Sequence, residues 1–217
     1  MQEYDINYFE NGIKTKISLY ENYRWIPELT IPFCATLIEQ LGIKEDDTIL
    51  DFGCAKGYMV KAFRLLHRKA YGVDISEYAI NSAPDDIKEY VFLINSIEKY
   101  QTFISHNNDI YNWVICKDVL EHIEYEKIDN VIKTLNIIGM NVFCSIPLGD
   151  GEKYIITSHE EDVTHIIRES LEWWKDKFEK NGFKVKKAKY LMKHVKQDWI
   201  EWEKGNGFFV LENNKRT

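Results

Sequence analysis

Asp51, Gly53, Gly57 and Asp74 are the residues whose types and spacing first suggest chemistry. The apolar run Ile49-Leu50-Asp51-Phe52 passes into Gly53-Cys54-Ala55-Lys56-Gly57, and an amphipathic stretch carrying Met59, Val60, Phe63 and Leu66 follows. That order describes a strand, a tight loop and a helix whose first turn presents unpaired backbone N–H groups to a ligand. A second β-like run, Ala70-Tyr71-Gly72-Val73-Asp74, ends in an acid. A carboxylate at the tip of the second strand of a βαβ unit is placed to accept hydrogen bonds from two ribose hydroxyls. Together these features point to a nucleoside-containing ligand. The loop lacks the G-x-G-x-x-G of a dinucleotide site, and no G-x-x-x-x-G-K-[ST] phosphate loop occurs. Asp51 beside the loop repels a diphosphate but suits a cationic ligand such as an ammonium or sulfonium.

Histidines supply the second set of candidates. His122, His159 and His165 follow the fourth expected strand, and imidazole is matched to taking a proton near neutral pH. His165 is the first choice for a general base and His122 the second. The competing readings are a loop histidine bonded to the backbone for His165, and helix-end packing or capping for His122. The stretch His159, Glu160, Asp162, His165 also offers metal-ligand atoms. Loop charges beside water explain it without an ion, and no metal is expected.

Elements that would position these residues alternate along the chain, as in an α/β doubly wound sheet. Thr30 is the expected cap of a helix carrying Phe33, Leu37, Ile38 and Leu41 and closed by Gly42. Strands are expected at Thr48–Phe52, Ala70–Asp74, Val91–Ile94, Trp113–Cys116, Asn141–Ile146, Phe183–Tyr190 and Gly207–Leu211. Helices are expected near Ile128–Ile138 and after a Ser170 cap, with Leu171, Trp174 and Phe178 on one stripe and a stop at Asn181-Gly182. In an open sheet of this kind, ligands bind beyond the C-terminal strand ends. Asp51 with its loop, Asp74, Asn95-Ser96 and Lys117-Asp118 are therefore expected to line one cleft. Asp118 has a competing reading as an N-terminal cap.

The first thirty residues hold Tyr4, Tyr8, Phe9, Tyr20, Tyr23, Arg24 and Trp25. They read as an aromatic lid over the cofactor cleft, or as a cover for a sheet edge or dimer surface. Tyr20 and Tyr23 are the expected ligand contacts, since an aromatic ring attracts a cation. Trp199 and Trp202, with Glu201 and Glu203, are either a second pocket wall or a packed hairpin excursion. The expected organisation is a single domain over 1–217: a lid at 1–29, a cofactor-binding core at 30–150, and an acceptor loop with the last strands at 151–217.

With 28 Lys and Arg against 35 Asp and Glu, the net charge of −7 provides no global basic field for nucleic acid, and none is expected as partner. Lys184, Lys186, Lys187, Lys189, Lys193 and Lys196 form a local basic strip, with Lys184 and Lys186 on one solvated strand face. No signal-like or membrane-spanning run is apparent. Cys34, Cys54, Cys116 and Cys144 lack paired spacing and read as reduced, buried thiols of a cytoplasmic protein.

These residues resemble the class I S-adenosylmethionine-dependent methyltransferases, whose first motif reads roughly D-x-G-x-G-x-G. Ala55 stands where that motif has its middle glycine. Asp118-Val119-Leu120-Glu121-His122-Ile123 is similar to the D-V-L-E-H-I run of small-molecule members. The likeness covers roughly residues 30–150 and implies a single seven-stranded, mostly parallel Rossmann-like sheet. By this resemblance the cofactor is S-adenosylmethionine and S-adenosylhomocysteine its product, with Asp51, Gly53, Cys54, Ala55 and Gly57 around it. Asp74 and Ile75 would hold ribose and adenine, Ser96 and Ile97 would border the adenine, and Asn95 belongs to the cofactor-binding set. Lys117, Asp118 and Val119 would pass near the methionine part. Asp162-Val163-Thr164-His165, followed by a Trp-containing helix, resembles methyltransferases encoded among bacterial surface-polysaccharide genes. That implies a sugar, sugar nucleotide or capsule precursor as acceptor; an oligomer is compatible with the sequence, which leaves the oligomeric state open. RNA, protein or other small-molecule methylation, and an inactive cofactor-binding partner protein, are the alternatives.

Overall fold

The computed structural model describes residues 4–95, 103, 110–193, 195 and 203–214. Ser96, Ile97, Lys196, Trp199, Glu201 and Trp202 lie outside the described residues, and with them the expectations placed on those positions. The strands form a seven-stranded sheet ordered β3-β2-β1-β4-β5-β7-β6, numbered in chain order with the ranges given below. This is the doubly wound sheet expected from the alternation of elements and the Rossmann-like architecture that the resemblance implies. The chain divides into two compact units, residues 1–111 and 112–217.

In the first unit, β1 (Thr48–Phe52), β2 (Lys69–Asp74) and β3 (Val91–Leu93) pair in parallel. Asp51 faces Gly72 in the β1–β2 ladder, so Asp74 stands just beyond the last residue of β1. Ile49 and Leu50 are fully buried, as are Val60, Ala62 and Phe63 from the helix Tyr58–Leu65. Helical spacing of apolar residues and strand alternation thus meet in one core. The helix expected from Thr30 starts earlier, at Pro27, and runs to Leu41. Proline at the first helical position has its φ preset and needs no N–H partner there, which moves the start upstream. Thr30 Oγ1 instead donates to the Ile26 carbonyl at 3.1 Å. Gly42 closes the helix at φ 69°, as expected.

In the second unit, β5 (Gly139–Pro147), β7 (Asn206–Asn213) and β6 (Phe183–Lys189) form antiparallel ladders, preceded by β4 (Tyr111–Lys117). β4, β5 and β7 extend a residue or two beyond the expected bounds at each end, while β6 stops one residue short; ladder bonds continue past the apolar stretch, and Pro147 still pairs with Asn206. The helix Ile128–Ile138 forms as expected and buries Ile128, Ile132 and Leu135. Ser170 caps Leu171–Lys180 by accepting from Trp173 N–H at 3.2 Å, and Trp174 and Phe178 are buried beneath it. All four cysteines are buried. Among the described residues, no helix is long and apolar enough to cross a membrane.

Candidate functional site

The glycine loop of the first unit is built around the end of β2. Gly53 and Cys54 both donate backbone N–H groups to the Val73 carbonyl (2.8 and 3.0 Å), and Gly57 N–H closes the turn on the Cys54 carbonyl at 2.8 Å. Gly53 and Gly57 adopt φ of 83° and 75°, where a side chain is disfavoured. Gly72 is needed for space: a Cβ there would come within 2.7 Å of Cys54 Sγ. Burial, together with the charges of Asp74 and Asp51, pushes the Cys54 thiol well up, so it is a protonated packing residue at neutral pH.

Asp74 is tied to this loop. Ala55 N–H donates to Oδ2 at 2.7 Å and Ser76 N–H to Oδ1 at 2.8 Å. Burial raises the Asp74 pKa, and these backbone donors act against that rise. Ile75, next to it, is 55% exposed, an apolar surface open for a flat apolar ring. Ala55 itself sits at φ 47°. A left-handed alanine costs about 1 kcal/mol, and its methyl packs against the cluster of Tyr8, Phe9 and Ala79. Asp51 is buried at the end of β1, and Asn95 is exposed after β3.

The N-terminal aromatics form the expected lid on this unit. Tyr20 and Tyr23 meet edge to face at 4.9 Å, Tyr23 lies 5.3 Å from Tyr58, and Phe9 stacks on Tyr78 at 6.1 Å. Burial, and then the neighbouring Tyr20 and Asp51, push the Tyr23 hydroxyl well above its ordinary range. Tyr23 is therefore a neutral hydroxyl within electrostatic reach of Asp51. Lys56, a loop residue to which no role was assigned from sequence, holds the lid down. Its ammonium pairs with Glu10 and donates to the Tyr23 carbonyl at 2.8 Å, while Tyr78 hydroxyl donates to the same Glu10 carboxylate at 3.0 Å. A cation lodged between two loop glycines, with tyrosines upstream, was the available signal.

The second unit gathers a different set. Lys117 pairs with Asp118, which adopts φ 54° and receives a 3.4 Å hydrogen bond from Ser145 Oγ. Asp118 is not the cap considered from sequence: the 3₁₀ turn Leu120–His122 follows Val119 with no side-chain cap. His122 lies on that turn, its Nδ1 2.6 Å from Thr164 Oγ1. Thr164 Oγ1 in turn donates to Asp162 Oδ1 at 2.6 Å, so the Thr164 oxygen accepts from His122 Nδ1–H. His165 Nδ1 lies 2.9 Å from the His159 carbonyl, which can only accept. Both imidazoles therefore carry hydrogen on Nδ1 and present Nε2 as the basic nitrogen. The rings meet at 4.6 Å, and Asp162 Oδ2 stands 3.9 Å from His165 Nε2.

The expectation of loop charges beside water holds for Glu160, which is exposed, and is corrected for His159, Asp162 and His165. His159, Asp162, Thr164 and His165 are all buried, because the loop folds back and Ile166 and Ile167 N–H groups bond to the Glu121 carbonyl (2.7 and 2.9 Å). Glu160 pairs with Arg168 at 3.0 Å. Burial lowers both imidazoles, His122 to about 4 with the neighbouring His165 adding to the effect, so both are neutral at pH 7. The backbone-bonded reading of His165 also holds, and it fixes the tautomer. Glu121, completely buried on the same turn, is a residue the sequence reading left without a role; its adjacency to His122 was the available signal.

A family model described as a methyltransferase domain matches residues 28–196. Among curated proteins there is no match. A SAM-dependent methyltransferase from Archaeoglobus fulgidus shares 18% identity at a TM-score of 0.59, over 83% of this chain and 92% of that one. The magnesium protoporphyrin IX methyltransferase of Synechocystis, solved with SAH, shares 16% at 0.58 over 83% and 80%. A putative methyltransferase of Haloferax volcanii in complex with the Trm112 activator shares 15% at 0.60 over 85% and 90%. At these identities the structural likeness shows the fold, while the model match spans most of the chain. The chain belongs to the methyltransferase-domain family, enzymes whose methyl donor is S-adenosylmethionine.

Proposed function

We propose that this enzyme transfers the methyl group of S-adenosylmethionine to an oxygen of a small polar acceptor: a sugar, a sugar nucleotide or a capsule precursor. The first unit's residues fit the cofactor. Asp74 accepts Ala55 N–H on Oδ2 and Ser76 N–H on Oδ1, and the four lone-pair sites of a carboxylate leave room for a ribose hydroxyl. Ile75 offers an exposed apolar face to adenine, and Tyr20 and Tyr23 offer aromatic faces. Asp51 contributes negative charge, which favours a cationic ligand over a phosphate. Bound S-adenosylmethionine supplies a methyl group already activated by a positively charged sulfur.

The protein's remaining work is alignment and proton removal. The observation that carries the oxygen-acceptor reading is the buried, neutral His122–His165 pair with defined tautomers. His165 is the base: Nδ1–H is held by the His159 carbonyl, Nε2 takes the hydroxyl proton, and Asp162 steadies the resulting cation. His122 is the second candidate.

The test is His165→Ala, assayed with sugar nucleotides and capsule precursors. Transfer should fall by about 10²–10⁴-fold, with S-adenosylhomocysteine affinity by calorimetry changed less than about threefold. An unchanged rate removes His165 as the base. Product on RNA or protein, with none on any sugar, overturns the acceptor class.

A further inference from the structure

We propose that Glu121, His122 and His165 form a binding site for one divalent transition-metal ion. One ligand atom from each side chain lies within 4.8 Å of the other two. Donors bound to a common ion at about 2.1 Å stand roughly 3–4 Å apart, so side-chain rotations of about 1 Å close the set. The donor types, two imidazoles and one carboxylate, select Mn²⁺, Fe²⁺, Co²⁺ or Zn²⁺ over the harder Mg²⁺ and Ca²⁺.

A second, independent observation is the outer layer of hydrogen bonds. Metal-ligating histidines characteristically donate their other ring N–H to a carbonyl or to a chain ending in a carboxylate. Both imidazoles do so here: His165 Nδ1–H reaches the His159 carbonyl, and His122 Nδ1–H reaches Thr164 Oγ1, itself bonded to Asp162. Nε2 is thereby the nitrogen of each ring that carries the lone pair a metal ion takes. The carboxylate is held by its backbone, because the Glu121 carbonyl accepts from Ile166 and Ile167 on the same loop that carries His165. Glu121 and His165, far apart in sequence, are thus tied together without any ion.

Three protein ligands leave coordination positions open, as in catalytic metal sites. Oxygens of a hydroxyl-bearing acceptor suit those positions, and an ion there lowers the pKa of a bound hydroxyl; with the ion bound, His165 Nε2 is a ligand and the ion takes over the hydroxyl activation otherwise assigned to that imidazole. That consequence, unlike the site itself, rests on the methyl-transfer reading.

The experiment uses the whole chain, stripped with a chelator and titrated with Mn²⁺ or Co²⁺ alone. One ion per chain should bind with a dissociation constant in the micromolar range or below. Glu121→Gln and His165→Gln should each weaken it at least tenfold while S-adenosylhomocysteine still binds, which reports an intact fold. No binding, or equal binding by the double variant, overturns the site. Should the variants not fold, pulsed electron paramagnetic resonance of Mn²⁺ on the unmodified protein decides. Couplings from two imidazole nitrogens support the site, and their absence overturns it. Transfer that proceeds unchanged after chelation refutes the ion's part in catalysis and leaves His165 as a lone base, while the binding titration alone decides the site. Tight metal binding without transfer to any acceptor refutes the methyl-transfer reading and leaves the site standing.

Discussion

Asp74 carries two duties at one carboxylate, and they can be separated by measurement. It fastens the glycine loop through Ala55 and caps the following turn through Ser76, and it is the ribose acceptor in the proposed cofactor site. Asp74→Asn removes one acceptor oxygen and the charge. S-adenosylhomocysteine affinity should fall at least tenfold, about 1.4 kcal/mol, and unchanged affinity by calorimetry would remove Asp74 from the site. The pH dependence follows from the same residue. Burial raises its pKa, so it takes up a proton at a higher pH than an ordinary aspartate near ~3.9. Affinity should stay level around neutrality and weaken as pH falls through that raised value, starting above the ordinary carboxylate range. In Asp74→Asn this acid limb should vanish.

At the scale of elements, the lid and the loop behave as one piece because Lys56 joins them. Its ammonium is largely buried against Glu10 and the Tyr23 carbonyl, and it approaches the Tyr23 and Tyr78 rings at 5.9 and 5.7 Å. Lys56→Met keeps the stem but leaves Glu10 and a carbonyl without their cation. Breaking such a pair costs about 3–5 kcal/mol when fully buried, and the partial exposure of Glu10 brings the expectation to about 1–3 kcal/mol. Thermal unfolding should report that loss, with faster amide exchange over residues 6–25. Exchange unchanged in that segment would show that the aromatic contacts alone hold the lid. Gly72→Ala tests the floor of the loop: its Cβ would press on Cys54 and Val60 at 2.7–2.8 Å. Overpacking of this kind costs about 1–3 kcal/mol, and a melting temperature equal to the parent's would mean that the loop yields freely.

For the molecule as a whole, charge and thiols give two simple readouts. The acidic total offers no counterion-release term for nucleic acid, and the lysines expected to stand solvated on β6 meet a carboxylate: Lys184 and Lys186 lie 3.9 and 3.2 Å from Glu212. Single-stranded RNA at micromolar concentration should not be retained at physiological salt; salt-dependent retention would reopen the RNA alternative. All four cysteines are buried, so a thiol reagent should modify essentially none in the native protein and all four on unfolding. What was legible in the chain was local. Strand, loop and helix around Gly53–Gly57, the acid at Asp74 and the Ser170 cap each arise from residues a few positions apart, where backbone geometry and apolar periodicity act directly. The sheet's alternation of elements and the cofactor class follow from that local code. The lid's anchor and the histidine cluster are different: Lys56 and Glu10 are 46 residues apart, and His122 and Thr164 are 42 apart. No short-range pattern specifies such pairs. Only packing buries the His159–His165 loop, sets both imidazole tautomers and brings Glu121 to His165, because burial and hydrogen-bond partners are properties of the folded chain.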